Sequence, residues 1–494
     1  MLEIAILAIY IVCIIFIFLF CVTEVALLVF YLRKKQNTKN CSLDSSHEFK
    51  EFPFVTVQLP VYNELYVVER LIDAVCSFDY PAARFEIQVL DDSTDETSAL
   101  ITQKVIHYHS NGIAIQHINR EDKSGFKAGA LQHGLKTARG EFIAIFDADF
   151  IPEPDFLKKT IPLFNDVVVG MVQSKWKHIN KSYSLLTRVQ AFALDAHFNI
   201  EQNGRNAAGA FINFNGTAGA WRKTCIEDAG GWSFDTLTED LDLSYRAQLR
   251  GWKFIYNGEV GAPAELPAEM SAVKSQQFRW SKGPAQVSKK ILSAMLFSDA
   301  SLKVKWIAVF HLLNSSINIF IFLTAILSVP LLLFKQQTEY GWAFTVIYVF
   351  YSGTLSISLV YLFSQILEEG SVKKGITSFL ILFPSFLSLS MGLSLQNALA
   401  ALRGLTGGKS PFKRTPKYNI VTGKDSWKNK RYHLSGITLL TAVELLMAFY
   451  FLYGIYVSVR NSEYQMLLFH FLLFTGFLST SVYSIKHALF AAKG

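Results

Sequence analysis

"FIAIFDADFIP", residues Phe142 to Pro152, is an apolar run that ends in two carboxylates. Phe142–Phe146 reads as a core strand, and Asp147-Ala148-Asp149 follows at its end. Burying a carboxylate is costly unless its charge is balanced. Two carboxylates two residues apart on a turn suit a hard divalent cation such as Mg²⁺. That ion keeps several waters and is usually bound by one or two carboxylates plus substrate phosphates. A metal–diphosphate would therefore balance the pair.

Reading outward, further apolar β-type runs alternate with helical patterns. Strands are expected at Phe54–Leu59, Glu86–Leu90, Ile113–His117, Phe142–Phe146 and Val167–Val172. Helices are expected between them at Glu64–Ser77, Thr94–His109 and Lys127–Ala138. This alternation predicts βαβ units and a parallel sheet, an α/β fold. Ligands of such sheets bind beyond the carboxyl ends of the strands. Polar clusters fall at four of those ends: Pro60-Val61-Tyr62-Asn63-Glu64, Asp91-Asp92-Ser93-Thr94-Asp95, Asn119–Gly125 with Lys127 just beyond, and Asp147-Ala148-Asp149. Singly, each has a structural reading: Ser93 or Thr94 as a helix cap, Gly125 as a turn. Four together indicate a binding crevice. No GxGxxG or GxxxxGK[ST] occurs, so neither a dinucleotide fingerprint nor a P-loop supports the site.

Two later stretches complete the set. Thr236–Arg246 holds Glu239, Asp240 and Asp242 at the start of a helical pattern. Acids there complement the helix dipole; alternatively, one serves as a general base toward an acceptor hydroxyl. Gln276-Gln277-Phe278-Arg279-Trp280 closes the region. Arg279 offers a planar donor fork for phosphate. Trp280 offers a face for a sugar ring, or an aromatic anchor near a bilayer.

The chain is apolar for its 494 residues, with 51% hydrophobic residues and mean hydropathy +0.27. Ile4–Leu32 and the runs Trp306–Phe334, Trp342–Leu367, Gly375–Leu402, Leu434–Val459 and Tyr464–Phe490 all reach the length of a spanning helix. The first is too long for a signal-peptide core and reads as an uncleaved anchor. Arg33, Lys34 and Lys35 place the region after it in the cytoplasm, and Arg403–His433, with nine Lys/Arg and one acid, belongs there too. Three crossings between those regions would break the parity. Gly375–Leu402 carries Pro384, five serines, Gln396 and Asn397, so an interfacial or re-entrant helix is expected there. Five crossings follow, amino terminus outside and carboxyl terminus inside; the alternative is six crossings with a basic outer loop. The net charge of +7 is explained by this topology rather than by nucleic acid. The five cysteines are scattered, with no CxxC, so neither a disulfide framework nor a zinc site is expected.

The expected organisation is an anchor at 1–32, a linker at 33–53 and a catalytic α/β domain at 54–290. An interface helix with two spans follows at 291–367. An interfacial or re-entrant helix with a basic loop occupies 375–433, and two more spans occupy 434–494.

Asp91/Asp92, Asp147-Ala148-Asp149, Thr238-Glu239-Asp240 and Gln276-Gln277-Phe278-Arg279-Trp280 resemble the D, DxD, TED and QxxRW motifs of processive glycosyltransferase family 2 enzymes, which include cellulose, chitin and hyaluronan synthases. Over about 54–290, "QVLDDSTDET", "GFKAGAL", "AIFDADFIPEPDFL", "FNGTAGAWR" and "TEDLDLSYRAQLRGWKF" are most similar to plant cellulose synthase-like glucomannan and xyloglucan-backbone synthases. The resemblance implies a GT-A-type, Rossmann-like cytosolic domain joined to an α-helical multi-pass membrane domain. It implies an integral membrane protein of a bacterial inner or plasma membrane or of the Golgi.

It also implies roles. Asp91, Asp92, Tyr62 and Glu64 would hold the nucleotide. Asp149, with Asp147, would hold Mg²⁺ or Mn²⁺, and Asp147 would lie near the ribose or diphosphate. Lys127, Gln276 and Arg279 would bind the diphosphate. Asp240 would be the catalytic base with Glu239 beside it; Trp280, Asn215, Gly216 and Thr217 would border the acceptor. Phe412–Lys417 is similar to the FxVTxK gating loop, with Thr415 and Lys417 kept and Arg414 standing in place of valine. The donor would be GDP-mannose or UDP-glucose, the acceptor a glycan, the product a β-linked polysaccharide exported through the membrane helices. No appended regulatory domain is expected after the last crossing. The main rival is a non-processive, glycolipid-forming transferase of the ceramide glucosyltransferase kind. A haloacid-dehalogenase phosphatase is disfavoured because Ile151 stands where Thr or Val is required. A channel or transporter would need no such acid set.

Overall fold

The computed structural model describes residues 1–40, 51–335, 347, 352–408, 414–428, 430–433 and 437–491. The β-branched and aromatic runs form seven strands: β1 Val55–Val61, β2 Phe85–Asp91, β3 Ile115–Asn119, β4 Phe142–Ile145, β5 Val169–His178, β6 Gly219–Arg222 and β7 Lys253–Ala264. Their order is β3-β2-β1-β4-β6-β5-β7. The chain leaves β1 to β2 on one side and to β4 on the other, which opens a crevice at the switch point. Val61 pairs with Asp91, and Asp91 with Asn119, so the carboxyl ends of β1, β2 and β3 lie level. Side chains alternate between two cores. Phe142 and Ala144 join Val57, Ile87 and Phe156 on one face; Ile143 and Ile145 join Leu131, Trp221 and Trp232 on the other.

Two expectations are corrected here. The sheet is mixed, because β6 runs antiparallel to both β4 and β5. Its four residues are too few to show a period, and Gly219 lets it close on β5: a Cβ there would sit 2.6 Å from the Val172 carbonyl oxygen. The helix starts also move. Helix α2 spans Val68–Cys76, because the Glu64 carbonyl already takes the amides of Val67 and Val68 in a preceding turn. Helix α3 (Thr97–Ser110) is capped by neither Ser93 nor Thr94; Asp95 accepts from the Thr97 amide at 3.0 Å. Gly125, with φ 75°, makes the turn into α4 (Phe126–Leu135).

Helix α5 (Leu185–Ala196) runs through a π-helical turn, His197–Gln202, into α6 (Asn203–Ala207). Helix α7 spans Glu239–Leu249 and α8 spans Met270–Leu296. The run Trp306–Phe334 divides at Asn314–Ser316 into α9 (Leu302–Leu312) and α10 (Ile317–Phe334). Then come α11 (Ser352–Glu369), α12 (Val372–Thr406), α13 (Leu439–Arg460) and α14 (Leu467–Ala491). The amino-terminal helix α1 covers Leu2–Asn40. Among the described residues five helical stretches are long and apolar enough to cross a membrane: Leu2–Gln36, Asn314–Phe334, Val372–Thr406, Leu439–Arg460 and Tyr464–Phe490. Pro384 lies inside α12, a 35-residue helix that runs through it without a break. The start of the Trp342–Leu367 run lies outside the described residues.

Candidate active site

The strand ends do converge. Tyr62 and Glu64 after β1, Asp92 after β2, Lys127 on α4 and Asp147 and Asp149 after β4 line one cavity of about 420 Å³. Asn215, Gly216, Glu239 and Asp240 complete one wall, and Gln276, Arg279 and Trp280 of α8 another; Thr415 and Lys417 of the basic loop lie across it. Phe412 and Lys413 of that loop are outside the described residues.

Two expected residues stand behind the cavity. Asp91, the last residue of β2, is buried; His117 Nε2 lies 2.9 Å from its carboxylate and the Ser93 amide donates to it. Burial opposes its charge, but the bonds from His117 and Ser93 outweigh that and hold its carboxyl down to about 2. Thr217 also turns inward, and its hydroxyl accepts from the Asp147 amide at 2.9 Å. It shapes the carboxylate turn from behind.

Every acid in the cavity has a basic neighbour. Arg120 grips Asp92 with Nε at 2.8 Å and Nη2 at 2.5 Å. Lys127 donates to Asp147 at 2.6 Å and to the Gly216 carbonyl at 2.9 Å. Lys417 donates to Asp149 at 2.7 Å and to the Glu265 carbonyl at 2.6 Å. Arg279 donates to the Thr415 hydroxyl at 2.6 Å, joining α8 to the loop. Arg414 reaches the Tyr62 carbonyl at 2.8 Å and lies 3.6 Å from Glu64.

Helix α7 presents Glu239 and Asp240 at its amino end, where backbone amides and the helix dipole favour a negative group. Burial acts the other way and raises both. Asp240 is pushed up to about 7, with Glu239 adding to the shift and Lys127 opposing it. Gly216, with φ 83°, lets the chain pass beneath: a Cβ there would lie 3.1 Å from Asp240 Oδ2 and 3.3 Å from Lys127 Nζ. Burial likewise pushes Glu64 up to about 8, against Arg414 and Lys417.

The structure adds residues that sequence reasoning missed. Trp176 and His178 of β5 line the cavity, and the Trp176 ring lies 6.4 Å from that of Trp280. Burial pushes His178 down to about 3, so it is neutral. Glu265 organises the floor, accepting from the Tyr418 amide at 2.8 Å beside Arg70 at 3.4 Å. Arg120 had a local signal, its place in a polar strand end; Trp176 and Glu265 had none, because β5 and β7 reach the cavity only through sheet order.

A Rossmann-like mixed sheet with paired carboxylates at one strand end, buried acids at a helix start and a basic cover is a GT-A-like glycosyltransferase architecture. Residues 53–283 match the sequence profile described as "Glycosyltransferase like family 2". The chain is 46% identical over 262 residues to probable glucomannan 4-beta-mannosyltransferase 7 of Oryza sativa subsp. japonica, covering 52% of this chain and 45% of that protein. It is 42% identical over 280 residues to glucomannan 4-beta-mannosyltransferase 1 of Cyamopsis tetragonoloba, covering 55% and 53%. The chain thus matches about half the length of these curated relatives. Among solved structures it resembles the mannosyltransferase PcManGT of Pyrobaculum calidifontis, in complex with GDP-Man and Mn²⁺. The TM-score is 0.54 at 20% identity, over 82% of this chain and 100% of that one, a likeness of fold.

Proposed function

We propose that this chain is a membrane-embedded, inverting hexosyltransferase that extends a β-linked mannan or glucomannan from a nucleoside-diphosphate sugar, GDP-mannose before UDP-glucose. The observation that carries the reading is the single cavity lined by Asp92, Lys127, Asp147, Asp149, Asp240, Arg279 and Trp280, which come from separate segments of the chain. The names of the relatives favour mannose.

The reaction follows from the groups present. The Asp240 carboxylate takes the proton of an acceptor hydroxyl as that oxygen attacks the anomeric carbon of the donor. The bond to the diphosphate breaks, and the nucleoside diphosphate leaves with the electron pair. One displacement inverts the centre, so an α-linked donor yields a β-linkage. Lys127 and Arg279 are fixed in advance where negative charge grows on the leaving group, the arrangement that contributes most to many enzymes. A pKa near 7 suits a general base at neutral pH. Trp280 and Trp176 offer ring faces to the acceptor sugars.

Asp147 and Asp149 fit a divalent cation, Mg²⁺ or Mn²⁺, as a shared site: among the described residues no group of three or more His, Cys, Asp or Glu is positioned to hold a metal alone. Diphosphate oxygens and water would complete the shell, as is usual for Mg²⁺. Lys417 already places an ammonium 2.7 Å from Asp149, the polarity the carboxylate demands. Such an ion supplies positive charge to the leaving diphosphate.

Both ends of α12 support the expected topology. Near its start Ser378 donates to Gln365 of α11, three residues before Glu368, which takes Lys175 of β5 at 2.6 Å. Near its end a Cβ on Gly404 would lie 2.5 Å from the Lys282 carbonyl of α8. Linked to the catalytic domain through α11 near its start and directly to α8 near its end, α12 is read as lying along one membrane face. With the Trp342–Leu367 run counted as a span in place of α12, five crossings remain, with the catalytic domain cytosolic and the polymer leaving through the helices.

The test is to supply membranes containing the protein with radiolabelled GDP-mannose, UDP-glucose and UDP-N-acetylglucosamine separately, then digest the product with linkage-specific hydrolases. Label from GDP-mannose in a polymer cut by β-mannanase is expected. A single-sugar lipid as the only product would overturn the polymer reading, and no transfer from any donor would overturn the enzyme.

A further inference from the structure

The first turn of helix α7 carries Glu239 and Asp240, yet Thr238, at its N-cap, makes no side-chain capping bond. The position of the helix must come from elsewhere. On one side Gln248 bonds both the amide and the carbonyl of Ile212, and Ser244 accepts from the Phe214 amide at 2.9 Å and donates to the Asp240 carbonyl at 2.6 Å. These bonds tie α7 to the segment ending in Asn215 and Gly216. On the other side Tyr245, fully buried, bonds His311 Nδ1 at 2.8 Å. His311 lies at the end of α9, and burial, with Arg205 and His197 nearby, keeps it neutral, so that one ring nitrogen carries a proton and the other can accept. Tyr245 is about one and a half turns below Asp240, so a shift at its hydroxyl tilts the carboxylate.

Helix α9 is in turn fastened to α1. Trp306 Nε1 donates to the Thr23 hydroxyl at 2.9 Å. Beside this contact Arg205 is 2% exposed, 3.6 Å from Glu201, with Glu24 of α1 as its other charged neighbour. Helix α1 also presses on α6 without a gap, since a Cβ on Gly204 would lie 2.5 Å from the Leu27 carbonyl. A run of polar contacts, half-exposed at Trp306 and buried at Tyr245, thus leads from α1 through α9 to the helix bearing the proposed base.

We propose that Tyr245 and His311 are positioning residues for proton transfer at Asp240, and that α1, through Thr23 and Trp306, is the strut against which they are set. The proposal rests on the reading of Asp240 as the base. A merely structural role would lower stability without a selective effect on the chemical step. Loss of orientation lowers kcat while donor binding, made by other segments, is kept.

The test uses the full chain in lipid nanodiscs, with Tyr245→Phe, His311→Leu, His311→Gln and Trp306→Phe. Three quantities are read: kcat and donor KM, the acid limb of the pH–rate profile, and amide hydrogen exchange over residues 239–249 without substrate. Tyr245→Phe and His311→Leu are expected to lower kcat about tenfold, leave donor KM within about twofold, shift the acid limb and speed exchange in α7. His311→Gln keeps an acceptor and is expected to recover most of the loss; Trp306→Phe is expected to give an intermediate one. Wild-type kcat and exchange in Tyr245→Phe and His311→Leu would overturn the proposal. So would equal losses in His311→Leu and His311→Gln with unchanged exchange. The exchange readings need no turnover, so they stand apart from a failure of the proposed activity, which would appear as absent transfer by the wild type.

Discussion

Asp240 carries the chemistry of the proposed reaction, and its burial makes clear predictions. Asp240→Asn keeps the shape and removes the base, so transfer is expected to fall by about 10²–10⁴-fold. Nucleotide affinity, measured by calorimetry, is expected to stay near wild type because Asp92, Lys127 and Arg279 are untouched. The raised carboxyl, about 7, also predicts an acid limb: kcat/KM rises with pH and levels off above an inflection near that value. The linked stability effect has the opposite sense. A carboxyl whose folded pKa lies above its unfolded value of ~3.9 stabilises the fold most below that value, and this is lost as pH rises through the folded pKa. The thermal midpoint of Asp240→Asn, followed from about pH 4 to about pH 7, is therefore expected to fall less than that of the wild type.

At the scale of elements, the basic loop forms the cover of the cavity. It is held over the cavity by Lys417 on Asp149, Arg279 on Thr415, Arg414 on Tyr62 and Glu64, Tyr432 on Asp95, and Arg431 on Glu96 at 2.7 Å. Arg414→Val removes the contacts with Tyr62 and Glu64. Its donor KM is expected to rise several-fold and nucleotide release, followed by stopped flow, to speed up. Exposed pairs such as Arg431–Glu96 contribute little by comparison. The central strands were legible because β4 is an unbroken apolar run, while β1 and β2 put Val55, Val57 and Leu59, and Phe85, Ile87 and Val89, at alternate positions, each with acids or turn residues at its end. Strand β6, the π-turn at 197–202 and the joint between α9 and α10 were not, because four residues hide a period and apolar runs conceal helix breaks. Of the site, the aspartates were legible as clusters. Trp176, Glu265 and the inward turn of Asp91 depend on which strands become neighbours, which no local pattern specifies.

For the whole molecule, topology is the sharpest question. A helix α12 lying along one face keeps Arg403–His433 on the same side as the catalytic domain. A single cysteine in place of Lys424, in a background freed of accessible cysteines, is expected to react with an impermeant maleimide only when the cytosolic face is open. Reaction from the opposite face would give six crossings instead.

The tight seat of Gly204 against Leu27 bears on how such a protein can be handled. An excised globular half, begun near residue 53, would shed the partner of that surface and expose Ala208 and Ala210, which share a core cluster with Leu27 and Ile307. Expression of residues 53–290 alone is expected to give aggregated material, judged by size-exclusion chromatography, while the same segment co-produced with residues 1–40 and the later helices stays dispersed in detergent. Attempts to crystallise or engineer the sugar-handling portion should therefore keep the first helix attached.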